Sequence, residues 1–505
     1  MHNSNKLILA IDISSNKIKV GLVSDNLVLE SFLIEDLKIF NEDIDGFAKQ
    51  IDMKDAWNKL ENTITDLLKV EKSLKNREVI GISSCAQRMA VVFLGNQGEV
   101  IYGGPNTDVR GIDSAYLIED EFSEEELFNI TGHSPSMLFC LSRLLWFKEE
   151  KEELYNKIKK VLTLDDWVVY KLTGEFCSDL SSAGETQILD IIKGKWSSEI
   201  IEAFDFDPEF FPQIIDSGRI VGDVKPKLLS HFGFIQDVIP VVKSGGDTQA
   251  SLLGMGVIEE GNIGISLGST APVHLVVNKP LLDPKCNHWT TFHSIKGKWL
   301  IEGNSGNTGI AFDWFKDAFL KDLKVDPNDQ IELYLKKNSP GSDSTFAFLG
   351  PELMDIKDKT SLKRGVFVFQ PPTLITEDMP KIENFAGSVL ENISFGIMEN
   401  FNALKSFSDY ELKTFCAGGM ANSNEFCKIL TNTLNTNISV PQWKESAFIG
   451  SAINTLIGLD YYSDYKNLRN SLMDFDTYLV DPTISKRYRD AYLEWKNLKS
   501  KINQL

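Results

Sequence analysis

The chain has 505 residues, of which 42% are hydrophobic and 25% charged, a composition typical of a globular protein large enough for two domains. Its 52 basic and 72 acidic residues give a net charge of −20, which argues against a nucleic-acid or anionic-membrane partner. The six cysteines form no Cys-x-x-Cys pair and no apolar run reaches transmembrane length, so we expect reduced thiols and a cytoplasmic protein.

The N-terminal region predicts an antiparallel meander followed by an amphipathic helix. Short apolar runs at 7–12, 18–24 and 27–34 are separated by polar turns, as in consecutive antiparallel strands. Apolar residues then recur at helical spacing over 54–70, and 79–82 has the pattern of a buried strand. Strands mixed with amphipathic helices indicate an α/β fold.

The segment 244–256, SGGDTQASLLGMG, places Asp247 in a Gly-rich turn just before an apolar helical run. After a further strand, 268–270 forms a second small-residue turn, Gly-Ser-Thr. A carboxylate that accepts a hydroxyl proton, together with free backbone N–H groups in such a turn, is what phosphoryl transfer from a nucleotide to an alcohol requires. Either motif alone would favour an ordinary helix N-cap or hairpin, since Asp is common at that position, so the argument depends on the surrounding motifs.

Two further patterns extend the argument to the whole chain. Residues 11–16 align with 265–270 at a constant offset of 254, about half the chain, as a duplicated domain would leave behind. A third turn, Ala417-Gly418-Gly419, precedes Asn422 and an apolar helix face. This turn could offer N–H groups to a phosphate or purine, or could simply be a capped helix after a tight turn.

The order of these motifs is distinctive: a strand ending in Asp12 with a Ser-Ser-Asn turn at 14–16, then Asp247, then the turns at 268–270 and 418–419. In this order the chain resembles the FGGY family of carbohydrate kinases, most closely its xylulokinase and autoinducer-2 kinase branches, over nearly all of its length. Supporting motifs are Gln87-Arg88, Asn106-Thr107-Asp108-Val109-Arg110, 164–175 (LDDWVVYKLTGE), Gly309 to Asp313-Trp314, and 444–452 (KESAFIGSA).

The resemblance implies two actin-like, ribonuclease-H-like α/β domains with a catalytic cleft between them, residues 1–254 on the substrate side and 255–505 on the ATP side. Asp247 would be the general base, and closure of the domains would bring it against the γ-phosphate. Asp12 would hold Mg²⁺, through water. The cofactors implied are ATP and Mg²⁺, the partner is a small carbohydrate, and a homodimer is common among proteins that resemble this chain.

The same resemblance assigns residues to each side of the reaction. Substrate would be bound by Gln87, Arg88, Asp108 and Asp247. The nucleotide would be bordered by Asp12, Ser14, Ser15, Asn16, Gly268, Ser269, Thr270, Gly309, Asp313, Gly418, Gly419 and Asn422.

Three departures bear on affinity and substrate. Ser14 stands where the family has Gly, and if it had to adopt φ > 0 the cost would be about 1 kcal/mol or more. Met89 stands where glycerol kinases carry Glu, which argues against glycerol, since small polyols are recognised by paired polar contacts. Asn106 replaces the usual Trp and, with 314–319, looks more like the autoinducer-2 kinase branch.

We therefore expect a pentulose-like ketose or polyol as substrate, with an autoinducer-2-like dihydroxy-dione second. A different class is a catalytically weak ligand sensor or scaffold on the same frame, motivated by Ser14. Another is an actin-like ATPase such as a chaperone. Retention of Asp12, Asp247 and the glycine turns favours the enzyme.

Overall fold

The fold comes from a computed structural model, which describes residues 5–70, 77–234, 236–354, 364–371 and 379–502. The strands are β1 (Lys6–Ile13), β2 (Lys17–Ser24), β3 (Leu29–Asp36), β4 (Ile39–Asn41), β5 (Lys49–Ile51), β6 (Glu78–Ala86), β7 (Val91–Leu94), β8 (Val100–Gly104), β9 (Lys160–Thr163), β10 (Cys177–Asp179), β11 (Leu189–Asp190), β12 (Lys195–Trp196), β13 (Gln213–Ile215), β14 (Ile220–Asp223), β15 (Pro240–Gly246), β16 (Asn262–Ser266), β17 (Pro272–Val277), β18 (Trp289–Phe292), β19 (Trp299–Asn304), β20 (Phe346–Phe348), β21 (Val366–Val368), β22 (Lys413–Ala417), β23 (Ile438–Pro441) and β24 (Phe475–Tyr478).

The helices alternate with these strands along the chain. They are α1 (Met53–Val70), α2 (Ala115–Glu121), α3 (Glu124–Thr131), α4 (Cys140–Glu150), α5 (Glu152–Tyr155), α6 (Leu164–Thr173), α7 (Leu180–Ala183), α8 (Ser198–Ala203), α9 (Pro226–Phe232), α10 (Asp247–Gly254), α11 (Thr308–Phe319), α12 (Pro327–Lys337), α13 (Ile382–Lys405), α14 (Asn424–Leu434), α15 (Ser446–Gly458), α16 (Tyr465–Leu472) and α17 (Pro482–Ile502). The predicted α/β class is confirmed.

The chain divides into two compact units. The first comprises Met1–Ile258, Asn278–Leu300 and Glu445–Met473, and the second comprises Glu259–Val277, Ile301–Lys444 and Asp474–Leu505. The longest segment of the first unit ends at Ile258, close to the predicted domain boundary after residue 254. The first unit also includes two segments from later in the sequence.

The first unit is built on a six-stranded sheet in the order β14-β15-β6-β1-β2-β3. Strands β1, β2 and β3 form the predicted antiparallel meander. Strand β1 pairs with β6, and β6 with β15, in parallel, and the register places Ile13 opposite Ala86 and Gly246 opposite Ala86. The carboxyl ends of these three strands therefore lie at one edge of the sheet, the edge where open α/β sheets bind their ligands.

The apolar face of α1 covers this sheet, as its helical pattern predicts. Leu60 and Ile64 are fully buried, and the Trp57 ring packs edge-on against Trp167 of α6 with centroids 5.8 Å apart. These side chains join the apolar residues of β1 and β6 in one core cluster. Burial of that cluster from water holds the central strands in register beneath the ligand edge.

Helix α15 also packs in the first unit, against α10. A Cβ at Gly254 would lie 1.9 Å from the Ser446 carbonyl oxygen, and one at Gly450 would lie 1.8 Å from the Ala250 carbonyl oxygen. The two backbones approach so closely that only glycine fits at both positions.

The second unit orders its strands β19-β17-β16-β22-β23-β24. Strands β16 and β17 are antiparallel, β16 pairs with β22 and β22 with β23 in parallel, and β23 and β24 are antiparallel. The central pattern, a hairpin whose first strand pairs in parallel with a later strand, is that of the first unit. This repetition supports the duplication inferred from the alignment of 11–16 with 265–270.

Candidate active site

Three sequence-predicted residues lie at the ligand edge of the first unit's sheet. Asp12 is near the end of β1, Gln87 directly follows β6, and Asp247 directly follows β15. The backbone N–H of Gln87 donates to the Ile13 carbonyl at 2.7 Å, which joins two of these strand ends. The structure thus brings together residues that are up to 235 positions apart in sequence.

Asp247 opens α10 from a turn that only glycine can form. Gly245 has φ +90°, and a Cβ there would lie 2.1 Å from Ser181 Oγ. The Asp247 Oδ1 atom accepts hydrogen bonds from the Thr248 backbone N–H at 2.7 Å and from Thr248 Oγ1 at 3.3 Å. Burial and the nearby negative charge of Asp12 raise the pKa of Asp247 to about 7, while Arg88 and Thr248 act in the opposite direction. A carboxylate with a pKa near neutrality is suited to general-base catalysis.

Asp12 is 4% exposed, and its Oδ2 atom lies 3.3 Å from the Lys19 ammonium. Lys19 also donates to Glu445 Oε2 at 3.0 Å. Burial alone would lower the pKa of Lys19, but the two carboxylates raise it, so the ammonium stays charged. Burial raises the pKa of Asp12, and Lys19 opposes that shift.

The residues around Asp12 fit a divalent cation. Carboxylate oxygens are ligands that Mg²⁺ prefers. The negative charge of Asp12 raises the pKa of Asp247, and a cation beside them would relieve that repulsion. The donor set and the electrostatics both suit Mg²⁺.

The turn after β1 is tied to the segment after β6. Gln87 Nε2 donates to the Ser14 carbonyl at 3.3 Å, and Gln87 Oε1 accepts the Asn106 N–H at 3.1 Å. Asn106 Nδ2 donates to Ser15 Oγ at 3.0 Å, while Ser15 and Asn16 are exposed. Ser14 is not among the described residues with positive φ, so the left-handed strain that its side chain would suffer there does not arise. The backbone of this turn tolerates Ser in place of Gly.

Arg88 meets a carboxylate that the sequence analysis did not single out. Its Nη1 atom lies 3.2 Å from Oε1 of Glu185, which is buried. The two residues are 97 positions apart in the chain, and no local pattern signals their pairing. The predicted substrate side of the first unit therefore includes a buried ion pair.

Asp108 is fully buried, and both of its carboxylate oxygens accept hydrogen bonds from protein groups packed around it. Oδ2 accepts from Arg110 Nε at 2.7 Å and from the Tyr102 hydroxyl, and Oδ1 accepts from the Lys49 N–H at 3.0 Å. Arg110 also pairs with Glu42 at 2.8 Å. Substrate binding by Asp108 stays a prediction; in this structure its carboxylate fixes the loop after Asn106.

A second buried charge cluster supports the turn of Asp247. The Lys243 ammonium contacts Asp165 and Asp166 and lies 3.7 Å from Asp179 Oδ1. In the described part of the chain, these three carboxylates are close enough together to be potential metal ligands. The Lys243 ammonium already supplies positive charge among them. Asp179 Oδ2 accepts from Ser181 Oγ at 2.6 Å, and Ser181 Oγ accepts the Gly246 N–H at 3.2 Å. The network ends one residue before Asp247.

In the second unit, the turn at 268–270 is bracketed by two glycines from other segments. A Cβ at Gly309 would lie 2.3 Å from the Gly268 carbonyl oxygen and 3.0 Å from Ser269 Cα. Gly418 has φ +117°, and its Cβ would lie 2.4 Å from the Leu267 carbonyl oxygen. The Gly268 N–H donates to the Thr270 carbonyl at 3.1 Å. The structure thus brings these predicted nucleotide residues together.

The remaining predicted nucleotide residues lie around the same elements. Nothing lies within 4 Å of a Cβ built at Gly419, and Asn422 Nδ2 donates to the Gly419 carbonyl at 3.1 Å. Asp313 is exposed on α11, where it pairs with Lys316 at 3.0 Å. Open backbone at Gly419 leaves room for a ligand, whereas Asp313 makes an ordinary surface ion pair.

Comparison with known proteins identifies the family. Residues 7–254 match the model of the FGGY family of carbohydrate kinases, N-terminal domain. The chain contains the N-terminal domain of the FGGY family of carbohydrate kinases. The family implies ATP as the phosphoryl donor and a small carbohydrate as the acceptor, so the predicted resemblance and enzyme class are confirmed.

Two relatives are similar to this chain over most of its length. A putative sugar kinase, YoaC, from Bacillus subtilis (strain 168) is 27% identical over 450 residues, covering 88% of each chain. The autoinducer-2 kinase of Escherichia coli (strain K12) is 24% identical over 433 residues, covering 83% of this chain and 80% of the relative.

Solved structures show the same fold over nearly the whole chain. The ligand-bound xylulose kinase from Lactobacillus acidophilus superposes with a TM-score of 0.87 at 18% identity, covering 99% of this chain and 98% of that one. The glycerol kinase from Plasmodium falciparum with ADP gives 0.85 at 19% identity, with 99% and 98% covered. Within the described ranges, no helix has the length and apolar content needed to cross a bilayer.

Proposed function

We propose that this FGGY kinase transfers the γ-phosphoryl group of ATP to a hydroxyl of a small, xylulose-like ketose or polyol, with Asp247 as the general base. The observation that carries the proposal is the position of Asp247 at the ligand edge, in a glycine turn, with its pKa raised to about 7. At neutral pH a large fraction of such a carboxylate is ionised and able to accept a proton.

In this proposal the chain's own groups act on the acceptor hydroxyl. Arg88 and Gln87 bind and orient the sugar, and Asp247 accepts the hydroxyl proton as the oxygen attacks phosphorus. The positive charge of Arg88 lowers the pKa of Asp247 and so keeps more of the base ionised. A positioned base typically contributes about 10²–10⁴ in rate.

Asp12 is proposed to hold Mg²⁺ through water. Mg²⁺ bound there would neutralise charge on the transferring phosphates. Lys19 supports the proposal because its ammonium contacts the Asp12 carboxylate and is itself held by Glu445. Without Lys19, the buried Asp12 would lose the charge that favours its ionised form.

The nucleotide side is proposed to lie in the second unit, around the turn at 268–270. Successive backbone N–H groups in such a turn bind phosphate oxygens, and Gly309 and Gly418 allow the close packing that shapes it. The open backbone at Gly419 is proposed to border the adenosine.

An autoinducer-2-type dihydroxy-dione is the second candidate substrate. It is favoured by the relatives named autoinducer-2 kinase, which align over most of the chain, and by Asn106 in place of the family's usual Trp. Asn106 lies beside Gln87 and Ser15, so a change of residue there alters the polar groups near the sugar.

The test is ADP release with Mg-ATP across pentuloses, pentitols, glycerol, erythritol and the autoinducer-2 precursor, with Asp247→Asn run beside the wild type. Turnover of one compound that the variant loses supports the proposal and identifies the substrate class. Turnover restricted to glycerol would contradict the ranking. Absence of turnover while ATP still raises the melting temperature would favour a ligand sensor.

A further inference from the structure

Glu185 is a buried carboxylate, 1% exposed, that the proposed reaction does not use. It lies in the short helical turn Gly184–Thr186 of the first unit. Its Oε1 atom accepts hydrogen bonds from Thr291 Oγ1 at 2.9 Å, from Arg88 Nη1 at 3.2 Å and from Gln249 Nε2 at 3.3 Å. A buried carboxylate is costly unless paired, so this concentration of donors on one oxygen is what keeps Glu185 in place.

The partners of Glu185 surround the turn that carries the proposed base. Gln249 is two residues after Asp247 on α10, and Arg88 is two residues after β6. A Cβ at Gly246 would lie 2.5 Å from Gln249 Oε1 and 3.3 Å from Arg88 Cγ. The side chains of Gln249 and Arg88 therefore both lie close to Gly246, the residue before Asp247. Glu185 links them, because its Oε1 atom accepts a hydrogen bond from each.

The two oxygens of Glu185 have different surroundings. Oε2 of Glu185 and Oε1 of Gln249 are buried without a hydrogen-bond partner among the described residues. A buried acceptor left unsatisfied costs free energy. His133 Nε2 lies 3.9 Å from Glu185 Oε2, whereas the hydrogen bonds that hold Glu185, including the one from Arg88, all go to Oε1.

We propose that Glu185 is a positioning residue for sugar binding: its carboxylate fixes the Arg88 guanidinium so that Arg88 presents its N–H donors to an oxygen of the substrate beside Asp247. This inference rests on the proposed function, in which Arg88 binds the sugar. Glu185 acts through Arg88, because its own oxygens are buried. A guanidinium only donates hydrogen bonds, so the group it recognises is a carbonyl or hydroxyl oxygen, such as the keto oxygen of a ketose.

The test compares Glu185→Gln with the wild type on the sugar that the wild type turns over best. Gln keeps the volume but loses the charge, so we expect the KM for sugar to rise roughly tenfold or more, the size of one charge-assisted hydrogen bond, with kcat reduced less. Glu391→Gln is a control for the same isosteric change at a buried side chain away from Arg88: Glu391 lies in the second unit, where it accepts hydrogen bonds from Gly341 and Ser342. That control should leave the KM for sugar unchanged.

A double-mutant cycle with Arg88→Met separates positioning from folding. If Glu185 acts through Arg88, then Glu185→Gln adds little to the KM change in the Arg88→Met background. Fully additive effects, or a wild-type KM in Glu185→Gln, would overturn the role of Glu185. Should Glu185→Gln fail to fold, Thr291→Val removes one donor to the same oxygen and should raise KM by a smaller factor; an unchanged KM there would also count against the proposal. Failure of the proposed function would appear differently, as no sugar-dependent ADP release by the wild-type protein.

Discussion

The Lys19 ammonium lies 3.3 Å from Oδ2 of Asp12, the carboxylate proposed to hold Mg²⁺. Asp12 is buried, and the side chain of Lys19 is 21% exposed. Glu445, from the segment just before α15, accepts a hydrogen bond from the same ammonium at 3.0 Å. Lys19 is therefore the counter-ion that lets a buried carboxylate stay ionised at the end of β1.

Lys19→Met should destabilise the protein by about 1–3 kcal/mol, below the usual cost of breaking a fully buried pair because Lys19 is partly exposed. The variant leaves Asp12 buried without its counter-ion, so the KM for Mg-ATP should also rise. Urea denaturation and steady-state kinetics measure the two effects. Lys17→Met is the matched control on the same strand, since Lys17 pairs with the exposed Asp36 and should matter little. Equal effects of the two variants would contradict the assignment.

The pH dependence of kcat/KM should report Asp247. Burial and Asp12 raise its pKa to about 7, so activity should fall as pH drops through that value and the base becomes protonated. Arg88 and Thr248 are the groups that lower this pKa, so Arg88→Met should move the acid limb to higher pH as well as raise the KM for sugar. An acid limb at the same pH in both proteins would show that another group is titrating.

Lys243→Met should destabilise the first unit by about 3–5 kcal/mol, the cost of leaving buried carboxylates without their cation. Lys243 is fully buried against Asp165, Asp166 and Asp179, which together raise its pKa although burial opposes the charge. Chemical denaturation measures the loss. Lys193→Met is the control: it removes an exposed ammonium from Asp190, which keeps its hydrogen bonds from the Ile192 and Lys193 N–H groups, so the midpoint should be nearly unchanged.

Gly309→Ala should raise the KM for ATP while leaving the KM for sugar close to that of the wild type. The new Cβ would lie 2.3 Å from the Gly268 carbonyl oxygen, so the turn at 268–270 or the start of α11 must move. Gly419→Ala is the control for folding, because a Cβ there meets nothing within 4 Å and the melting temperature should hold. A normal KM for ATP in Gly309→Ala would contradict the placement of the phosphates at this turn.

The stability of the protein should depend on Glu391 between about pH 4.5 and pH 8. Burial and Asp343 raise the pKa of Glu391 from 4.5 to about 8, against the hydrogen bonds from Gly341 and Ser342. The folded state keeps a proton that the unfolded state loses, so the stabilising contribution is complete below pH 4.5 and is lost as pH rises towards 8. Melting temperatures across this range should show a smaller decline in Glu391→Gln, and identical pH profiles would contradict the shift.

Local patterns were sufficient to predict the backbone of the site. The meander at 7–34, the helix over 54–70 and the turn before α10 all follow from apolar periodicity and glycine placement, and the structure has each of them. The alignment of 11–16 with 265–270 similarly anticipated two sheets with the same central pairing. The strands, helix and turn depend on near neighbours in sequence, and the repeat appears when two short strings of the same sequence are compared, so one sequence suffices to find them.

The charged partners of the site could not be predicted in this way. Lys19 and Glu445 are 426 residues apart, and the pairing of Arg88 with Glu185 spans 97. Such pairs depend on which strand ends the fold brings together, and a charged residue that will be buried has no local signature. Asp108 shows the converse: its motif suggests a ligand, but tertiary packing has already satisfied both of its oxygens.

The close packing of α15 on α10 limits how the protein can be divided. The match to the N-terminal domain model ends at residue 254. A polypeptide that stopped there would lack α15 and Glu445, the ion-pair partner of Lys19. It would expose the surface of α10 that Gly450 now contacts, along with the apolar contact of Cys85, Ala250 and Ala447. The first unit is thus completed by residues almost two hundred positions later in the sequence, so during translation it reaches its final packing only after α15 has been synthesised.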